Sequence, residues 1–526
     1  MGSRLATLIA PTVLIVVWAL LSATVFAGYE FIPSPTEVAT ALVDLIGSGD
    51  MSRAVAHTLR MSLAATAIAV IVGGLVGAGI GLLEPVRQYL MASIDFLRTI
   101  PAVAMVPVAL LALGPIGPTE LLLASFAATW PVVITTAAGV ASAHPRHHDV
   151  ARTFRLSHGE TFRKVVVPAA VPAWLVGARL AAVIGLLASI VAEMLMYPRG
   201  LGGGLIEAFH ALAPARMWAF VLVCGLLGVL MNAALRIAVR LALPGSPAVG
   251  GSASRASVAP VGGVATPPTG LLPLVAVFVV WQLSAPAESL SFPPPSEWFA
   301  ALGRLCREGT LATAIANTLV SYVLGLALAT LVGTALGTTI GASRTADRSL
   351  TGTLDFIAAI PAAALVPLAA LVFGPTHTAG VLVVGLVASL PITLSAATAM
   401  RSVPTVRLEM SRSIGLSPLQ RWTKVVAPSL LPGVLLGVRV AASVAIIVTL
   451  LVDVFGTGTG VGRLLVLSQQ HFDAAAAWGL LLIVGGFGYL SSVVLNHTPR
   501  LTSSATAPGR TAAAAPSGRA RRCRPS

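Results

Sequence analysis

Long apolar runs dominate the pattern of hydrophobic and polar positions along this chain of 526 residues. A helix that crosses a bilayer needs about 20 mostly apolar residues. Five runs of that length carry no charged side chain: 5–27, 61–83, 121–142, 318–342 and 378–400. Seven further runs are apolar but shorter or broken by proline: 99–114, 171–192, 218–235, 268–286, 358–374, 433–452 and 478–496. The pattern therefore predicts twelve membrane-spanning helices, six in each half of the chain.

The second half of the chain repeats the first at a constant offset of 260 residues. IDFLRTIPAVAMVP (94–107) aligns with LDFIAAIPAAALVP (354–367), and RKVVVPAAVP (163–172) aligns with TKVVAPSLLP (423–432). An even number of spans returns the chain to its starting side, so the two units run in parallel orientation. The predicted fold is an all-α polytopic membrane protein built from two homologous six-span units in tandem.

The repeat and the composition divide the chain into four segments. The first unit covers 1–242 and the second covers 268–498. The first apolar run is interpreted as a span, not a signal peptide, because its counterpart lies in the middle of the chain. Residues 243–267 are rich in Gly, Ser, Pro and Ala and are predicted to form a flexible cytoplasmic linker. Residues 499–526 are predicted to be a disordered basic tail that either contacts anionic lipid or is only solvated.

Composition and charge support the membrane interpretation. Only 10% of the residues are charged, whereas a soluble protein has about 25%. The net charge of +14 comes from sparse basic residues between apolar runs, which argues against a nucleic-acid partner. Basic residues concentrate in 146–164 and 401–424, and such loops face the cytoplasm. Both termini are then cytoplasmic, and the loops at 28–57 and 197–217, with few basic residues, lie outside.

The sequence has no spacing typical of a metal site or a disulfide framework. Cys224, Cys306 and Cys523 form no CxxC pair. Cys224 sits in an apolar run and is expected to be a small core residue. His210 and His471 are isolated histidines in loops, so no metal ligand is predicted.

Two equivalent loops between the fourth and fifth spans hold the clearest functional signal. They cover 149–172 and 409–432, and they contain the two lysines of the chain, Lys164 and Lys424. Each loop is predicted to form a short helix, a turn, and a second amphipathic helix that ends at a proline before the next span. Such a helix pair can be a docking surface for another protein; an ordinary interfacial helix pair is the alternative.

These loops resemble the EAA motif of permease subunits of ATP-binding-cassette importers. The second loop keeps the acid, the glycine and the downstream proline of the motif, with two replaced alanines between: Glu409, Met410, Ser411, Gly415 and Pro428. The first loop departs further and has Arg in the place of the glycine: Asp149, Val150, Ala151, Arg155 and Pro168. The resemblance covers about 30–242 and 290–497 and is similar to the nitrate/sulfonate/taurine branch.

The resemblance implies that each loop is a coupling helix that docks on one of two ATPase subunits. It also implies an extracytoplasmic solute-binding protein, a bacterial plasma-membrane location and alternating access. Arg155 adopts a positive φ less cheaply than glycine, so the first loop is expected to differ in shape from the second. Two different ATPase subunits, or unequal docking on a homodimer, would follow, and unequal docking is preferred.

The chain has no phosphate-binding loop of its own. Such a loop needs GxxxxGK[ST], and no Gly-Lys pair occurs in the sequence. The chain is therefore expected to be a transport subunit and not an enzyme. ATP and Mg²⁺ would be used by the partner ATPase, and no cofactor is expected on this chain.

Three charged residues are candidates for the translocation pathway. Glu193 and Asp453 are repeat-related acids near the outer end of the fifth span. They either face each other across the pathway, pair with an arginine such as Arg199, or are interfacial acids reached by water. Arg98 has Ala358 as its counterpart and either faces an anionic substrate or anchors the cytoplasmic side.

Other residues in these regions have structural interpretations. Asp95 and Asp355 are expected to cap the N-terminus of the third span in each unit. The glycine-rich segments 200–205 and 456–462 look like phosphate loops but lack the lysine, and they are expected to form tight turns outside.

Two other classes of function are alternatives to the importer. A stand-alone secondary transporter or channel can also have parallel repeats, but it leaves the paired lysine-bearing loops unexplained. A membrane enzyme needs a nucleophile–base pair or clustered carboxylates, which the sequence does not place together. The resembled branch implies nitrate, a sulfonate, taurine or a vitamin precursor as substrate.

Overall fold

The computed structural model describes residues 2–141, 153–196, 199–242, 268–286, 289–456 and 458–505. These residues are almost entirely helical and include no β-strand. The main helices of the first unit are α1 (Gly2–Ala23), α2 (Pro35–Gly47), α3 (Asp50–Leu82), α4 (Glu84–Leu97), α5 (Ala102–Leu113), α6 (Gly117–Ala141), α7 (Val167–Met196), α8 (Gly200–His210) and α9 (Pro214–Ala242).

The main helices of the second unit repeat this order. They are α10 (Leu272–Ser284), α11 (Pro295–Arg307), α12 (Thr310–Ala342), α13 (Arg344–Ala359), α14 (Ala362–Phe373), α15 (His377–Ser402), α16 (Thr405–Ser413), α17 (Ala427–Phe455), α18 (Val461–Gln470) and α19 (Ala474–Ala505). The predicted linker at 243–267 lies outside the described residues, as does the predicted tail beyond 505. Helix α19 itself continues past the predicted boundary at 498.

The described helices confirm a polytopic membrane fold. Eight of them are long and apolar enough to cross a bilayer, and α4 and α5, which meet at an angle of 85°, are long and apolar enough only as a pair. Shorter apolar helices cover Thr12–Ala23, Thr269–Ser284 and Ala362–Phe373. Helix α5 has 12 residues, which is about 18 Å and too short to cross a bilayer by itself. The twelve predicted spans thus correspond to helices of unequal length.

The two units contact each other reciprocally. Gly228 of α9 packs so closely on the backbone of Ala359, at the end of α13, that a side chain at position 228 would not fit. Gly488 of α19 packs in the same way on Thr99, which follows α4. Position 488 is 228 plus 260, and 359 is 99 plus 260, so each unit offers the same two surfaces to the other. This arrangement is the one expected of parallel repeats around a twofold axis along the membrane normal.

Glycines bring the long helices of each unit into close contact. A Cβ atom on Gly77 of α3 would lie 2.5 Å from the carbonyl oxygen of Val133 in α6. A Cβ atom on Gly341 of α12 would lie 2.6 Å from the carbonyl oxygen of Ala397 in α15. Small residues let helices approach closely in lipid, where association depends on packing. Cys224 lies in the buried core, as its apolar surroundings predict.

The start of the third span differs from the prediction. Asp95 lies in the last turn of α4 and Asp355 lies within α13, so neither residue precedes its span as an N-cap. Helix α5 begins after Pro101 instead. The residue before a proline is forced out of the helical conformation, so the chain ends one helix at this point and bends before the next.

Candidate functional site

We call the two predicted docking loops, 149–172 and 409–432, the inner loops. The structure describes every residue of the second one. Helix α16 (Thr405–Ser413) is followed by a turn at Gly415, where φ is +73°. Ser417 then starts a short helix with a capping box to Gln420. Of the predicted docking residues in the first loop, Asp149, Val150 and Ala151 lie outside the described residues, whereas Arg155, Lys164 and Pro168 lie inside them.

Arg155 adopts the left-handed backbone conformation, which the sequence analysis expected to be more costly for arginine than for glycine. Its φ is +52°, close to the +73° of its counterpart Gly415. The expectation that the first loop has a different shape at this point is therefore wrong. Both units therefore have the same left-handed residue at this position, and Arg155 accepts a strain of about 1–2 kcal/mol.

Glycine at position 155 should stabilise the turn in the first loop. Arg155→Gly will relieve the strain, and amide hydrogen exchange in peptides that cover the turn will slow by about fivefold, equivalent to about 1 kcal/mol. Gly415→Ala will accelerate exchange at the second turn by a similar factor, because no atom lies within 4 Å of the added Cβ and only the backbone conformation is affected. Arg155→Ala keeps the strain and should leave exchange unchanged. Equal exchange rates in Arg155→Gly and wild type would show that Arg155 is not strained.

The loop is joined to the fifth span by a widened helical turn. Residues Phe162–Val166 and Trp422–Val426 form π-helical turns, and each is followed directly by a long helix, α7 or α17. Pro168 and Pro428 lie in the first turn of those helices. Proline cannot donate the backbone hydrogen bond of a regular helix, and a π turn accommodates this change. The prediction that the helix ends at the proline is wrong, because the helix passes through it.

The predicted docking residues differ in what they contact. Met410 is exposed, as are Glu409 and Gly415, whereas Ser411 is buried and its hydroxyl donates to the carbonyl oxygen of Leu408. Lys164 Nζ donates to Glu160 at 3.0 Å. The repeat has Gln420 in the place of Glu160, so exposed Lys424 has no equivalent carboxylate.

Large apolar side chains project from both inner loops at equivalent positions. Phe154 is 73% exposed and its counterpart Ile414 is 71% exposed. Phe162 and Trp422 form a second exposed pair. Exposed apolar residues at a repeated position are typical of a protein interaction surface. We call these four residues the inner apolar pairs.

Glu193 is buried at the end of α7 and holds the start of α8. Its side chain is buried and accepts hydrogen bonds from the Thr58 hydroxyl at 2.7 Å and from the Gly202 N–H at 2.9 Å. The Leu201 N–H donates to Thr58 Oγ1 at 2.9 Å. Gly200, with φ +76°, passes so close to the carboxylate that a Cβ atom would overlap it. The tight turn predicted for 200–205 is wrong, because these residues form the start of helix α8, and only Gly200 at its first position has a positive φ.

Asp453 makes the same arrangement in the second unit. It accepts from the Thr318 hydroxyl at 2.7 Å and from the Gly462 N–H at 3.3 Å, and the Val461 N–H donates to Thr318. Each acid is thus bonded within its own unit, to a threonine and to the first turn of the short helix that follows it, α8 or α18, which lies on the side predicted to be outside. We call each acid with its threonine the outer clamp.

The first unit adds a polar pair that the second lacks. His57 Nε2 lies 3.1 Å from Glu120 Oε2, and both residues are near Glu193, with one ligand atom of each within 4.8 Å of the others. The counterparts of His57 and Glu120 are Asn317 and Gly380. The clamp is therefore common to both units, whereas this pair is specific to the first.

Arg98 lies between the two units. Its Nε donates to Asp95 at 2.8 Å, and Arg439 of α17 interacts electrostatically with both residues. Arg179, the counterpart of Arg439, donates to Asn232 Oδ1 at 2.9 Å. These two half-buried arginines were not among the residues predicted from the sequence, although charge at repeated positions inside an apolar run is a signal for them.

Comparison with known proteins agrees with the repeat. The family described as "Binding-protein-dependent transport system inner membrane component" matches residues 69–245 and 329–498. The nitrate import permease protein NrtB of Leptolyngbya laminosa is 30% identical over 237 residues, which are 43% of this chain and 83% of the relative. The putative aliphatic sulfonates transport permease protein SsuC of Bacillus subtilis is 28% identical over 234 residues, 44% and 83% of the two chains. The bicarbonate transport system permease protein CmpB of Synechococcus elongatus is 28% identical over 230 residues, 41% and 82%.

Proposed function

This chain belongs to the binding-protein-dependent transport system inner membrane components and is a tandem permease of an ATP-binding-cassette importer, and we propose from this premise how its two units work. Both halves of one translocation pathway are supplied by a single chain. The observation that carries the proposal is the duplication of the family domain together with the reciprocal contacts between the two units. A stand-alone carrier is not favoured, because the relatives are importer permeases.

Two ATPase subunits dock on the inner loops in this proposal. The inner apolar pairs give each loop an exposed surface, and the π turn joins each loop to a long span as one helix. A rigid-body motion of the ATPase dimer can then reach the spans without loss in a flexible hinge. Because Arg155 and Gly415 share one turn conformation, an ATPase homodimer fits both loops, and unequal docking would come from side-chain differences alone. ATP and Mg²⁺ are used by the ATPase, and this chain binds no cofactor.

The substrate in this proposal is a small anion delivered by an external solute-binding protein. The names of the relatives support nitrate, a sulfonate or bicarbonate; taurine and a vitamin precursor are the other candidates from the sequence. The termini lie in the cytoplasm of a bacterial cell, and the outer clamps lie on the opposite side. The membrane is the plasma membrane, which the chain crosses several times.

Uptake by the full complex tests this function. The tagged chain is purified in mild detergent with the subunits that accompany it, and it is reconstituted with the solute-binding protein outside the vesicles and ATP inside. We expect labelled substrate to accumulate only with both present, and we expect ionophores to have no effect. A chain that purifies without an ATPase and accumulates substrate from an ion gradient would overturn the proposal in favour of a secondary carrier.

A further inference from the structure

A basic cleft opens at the outer end of the first unit. It has a volume of about 640 Å³ and lies between α2, α3, α8 and α9. Four arginines line it: Arg53, Arg60, Arg199 and Arg216. The loops predicted to lie outside hold few basic residues. The structure brings three of them, Arg53, Arg199 and Arg216, together in this cleft.

The guanidinium groups come from three elements. Arg53 and Arg60 are seven residues apart on α3, so they point to the same side of that helix. Arg199 precedes α8 and Arg216 lies in the first turn of α9. His57, from the polar pair specific to the first unit, lines the inner part of the cleft.

The charge of the cleft remains positive after its acids are counted. Asp50 and Glu207 also line it, and Asp50 Oδ1 accepts from Arg53 at 2.6 Å. The four arginines and two carboxylates that line the cleft leave a net charge of +2, and Glu120, which interacts electrostatically with Arg60 from behind His57, lowers it to +1. In the described part of the chain, Arg60 and Arg216 donate no hydrogen bond to another residue, so their N–H groups are available to a ligand.

The repeat shows that the fold does not need these arginines. Their counterparts are neutral: Thr313, Val320, Thr459 and Ala476. The second unit nevertheless has the equivalent helices and its own outer clamp without them. Four arginines that converge on one cleft, at positions where the other unit has neutral residues, indicate a shared anionic ligand.

We propose that this cleft binds an oxyanion through Arg53, Arg60, Arg199 and Arg216. Guanidinium groups bind phosphate, sulfonate, nitrate and carboxylate oxygens in pairs of hydrogen bonds. Two sources offer this chemistry on the outer face. One is a soluble anion, a source that rests on the proposed function; the other is the phosphate of a lipid headgroup.

The position of the cleft brings both sources within reach. Arg53 and Arg60 head the side of α3 on which Ile71 and Leu75 are exposed, so the cleft borders the lipid-facing surface. The N-terminal turn of α8 lines its inner wall through Gly200 and Gly204, next to the outer clamp. A bound anion would therefore lie between lipid and the helix that the clamp holds.

Binding to the full-length chain tests the proposal with the double variant Arg60→Val/Arg216→Ala. These are the residues that the second unit has at the same places, so the variant is compatible with the fold. Arg307→Gln is the matched control, because Arg307 is exposed at the end of α11 on the same outer side. Arg60→Lys is a second variant that keeps the charge but loses the paired hydrogen bonds. Unchanged melting temperatures in detergent show that each variant is folded.

Two arms separate the sources. In nanodiscs of phosphatidylcholine, titration with nitrate, sulfate or methanesulfonate is followed by calorimetry. In detergent, retained phosphatidylglycerol is measured by native mass spectrometry. Saturable anion binding that weakens at least tenfold in the double variant would indicate a soluble ligand. Phosphatidylglycerol that the wild type retains and the double variant loses would indicate a lipid ligand. In either case Arg307→Gln behaves as wild type and Arg60→Lys falls between.

Equal binding of both probes to wild type and to the folded double variant would overturn the proposal, as would binding of neither probe to wild type. Neither measurement involves ATP or transport. If the cleft binds no anion, the proposed importer function is therefore unaffected. If ATP-driven uptake is not observed, the measurement of bound phosphatidylglycerol still tests the cleft.

Discussion

Replacement of Glu193 by alanine will release α8 from the first unit and stop uptake. The change removes the acceptor of the buried Thr58 hydroxyl and of the Gly202 N–H. Each buried polar group that loses its partner costs about 1–3 kcal/mol, so we expect α8 to lose about 2–6 kcal/mol of local stability. Helix α8 packs on α14 of the other unit, where Ala208 and Leu368 share a cluster. Its release therefore opens the contact between the units on the outer side.

Hydrogen exchange and uptake measure this effect together. Exchange of peptides that cover Gly200–His210 should rise at least about 30-fold, which corresponds to about 2 kcal/mol, and ATP-driven uptake should fall below about a tenth. Glu193→Asp is the matched control, because the second unit has Asp453 at that place, and it should lose much less. Asp453→Ala should accelerate exchange in α18 and leave α8 protected. Unchanged exchange of α8 in Glu193→Ala would show that the clamp does not hold this helix.

Replacement of Phe154 and Ile414 together by aspartate will abolish the association with the ATPase. Both side chains are more than 70% exposed, so the change has little effect on folding of the chain. In a docked complex they would be buried, and loss of a central apolar anchor costs about 2 kcal/mol or more at each site. We expect each single variant to weaken association about 30-fold, and the double variant to show no co-purified ATPase and no ATP-driven uptake.

Leu290→Asp is the control for this experiment, because Leu290 is strongly exposed and lies before α11 on the opposite side of the membrane. It should bind the ATPase as wild type does. Equal losses in Phe154→Asp and Ile414→Asp would favour equivalent docking on a homodimer. A clear difference between them would favour unequal docking. Full ATPase recovery with the double variant would place the docking surface elsewhere.

Local pattern was a good guide to the helices and a poor guide to their ends. The apolar runs predicted the spans because a helix in lipid must be apolar along its whole length. Pro101 and Pro168 look equivalent as local signals, yet the first ends a helix and the second lies within a continuous one. The difference lies in the preceding turn, because Phe162–Val166 is π-helical and a π turn accommodates the missing N–H of Pro168.

The turn at Arg155 shows the same limit. Glycine is the residue expected at a positive φ, and the arginine suggested another shape. The structure has the left-handed turn in both units. The folded chain accepts a local cost of about 1–2 kcal/mol at Arg155, and a single sequence contains no measure of the tertiary contacts that offset such a cost.

The sequence by itself determined the all-helical membrane fold, the tandem repeat and the absence of a nucleotide-binding loop, because each of these depends on neighbouring residues or on a constant offset between residues. Only the tertiary structure decided what the charged residues contact. Thr58 and Glu193 are 135 positions apart, and the arginines of the basic cleft come from three separate elements. Side chains so distant in the chain meet only through helix packing, so their pairing cannot be read from local pattern.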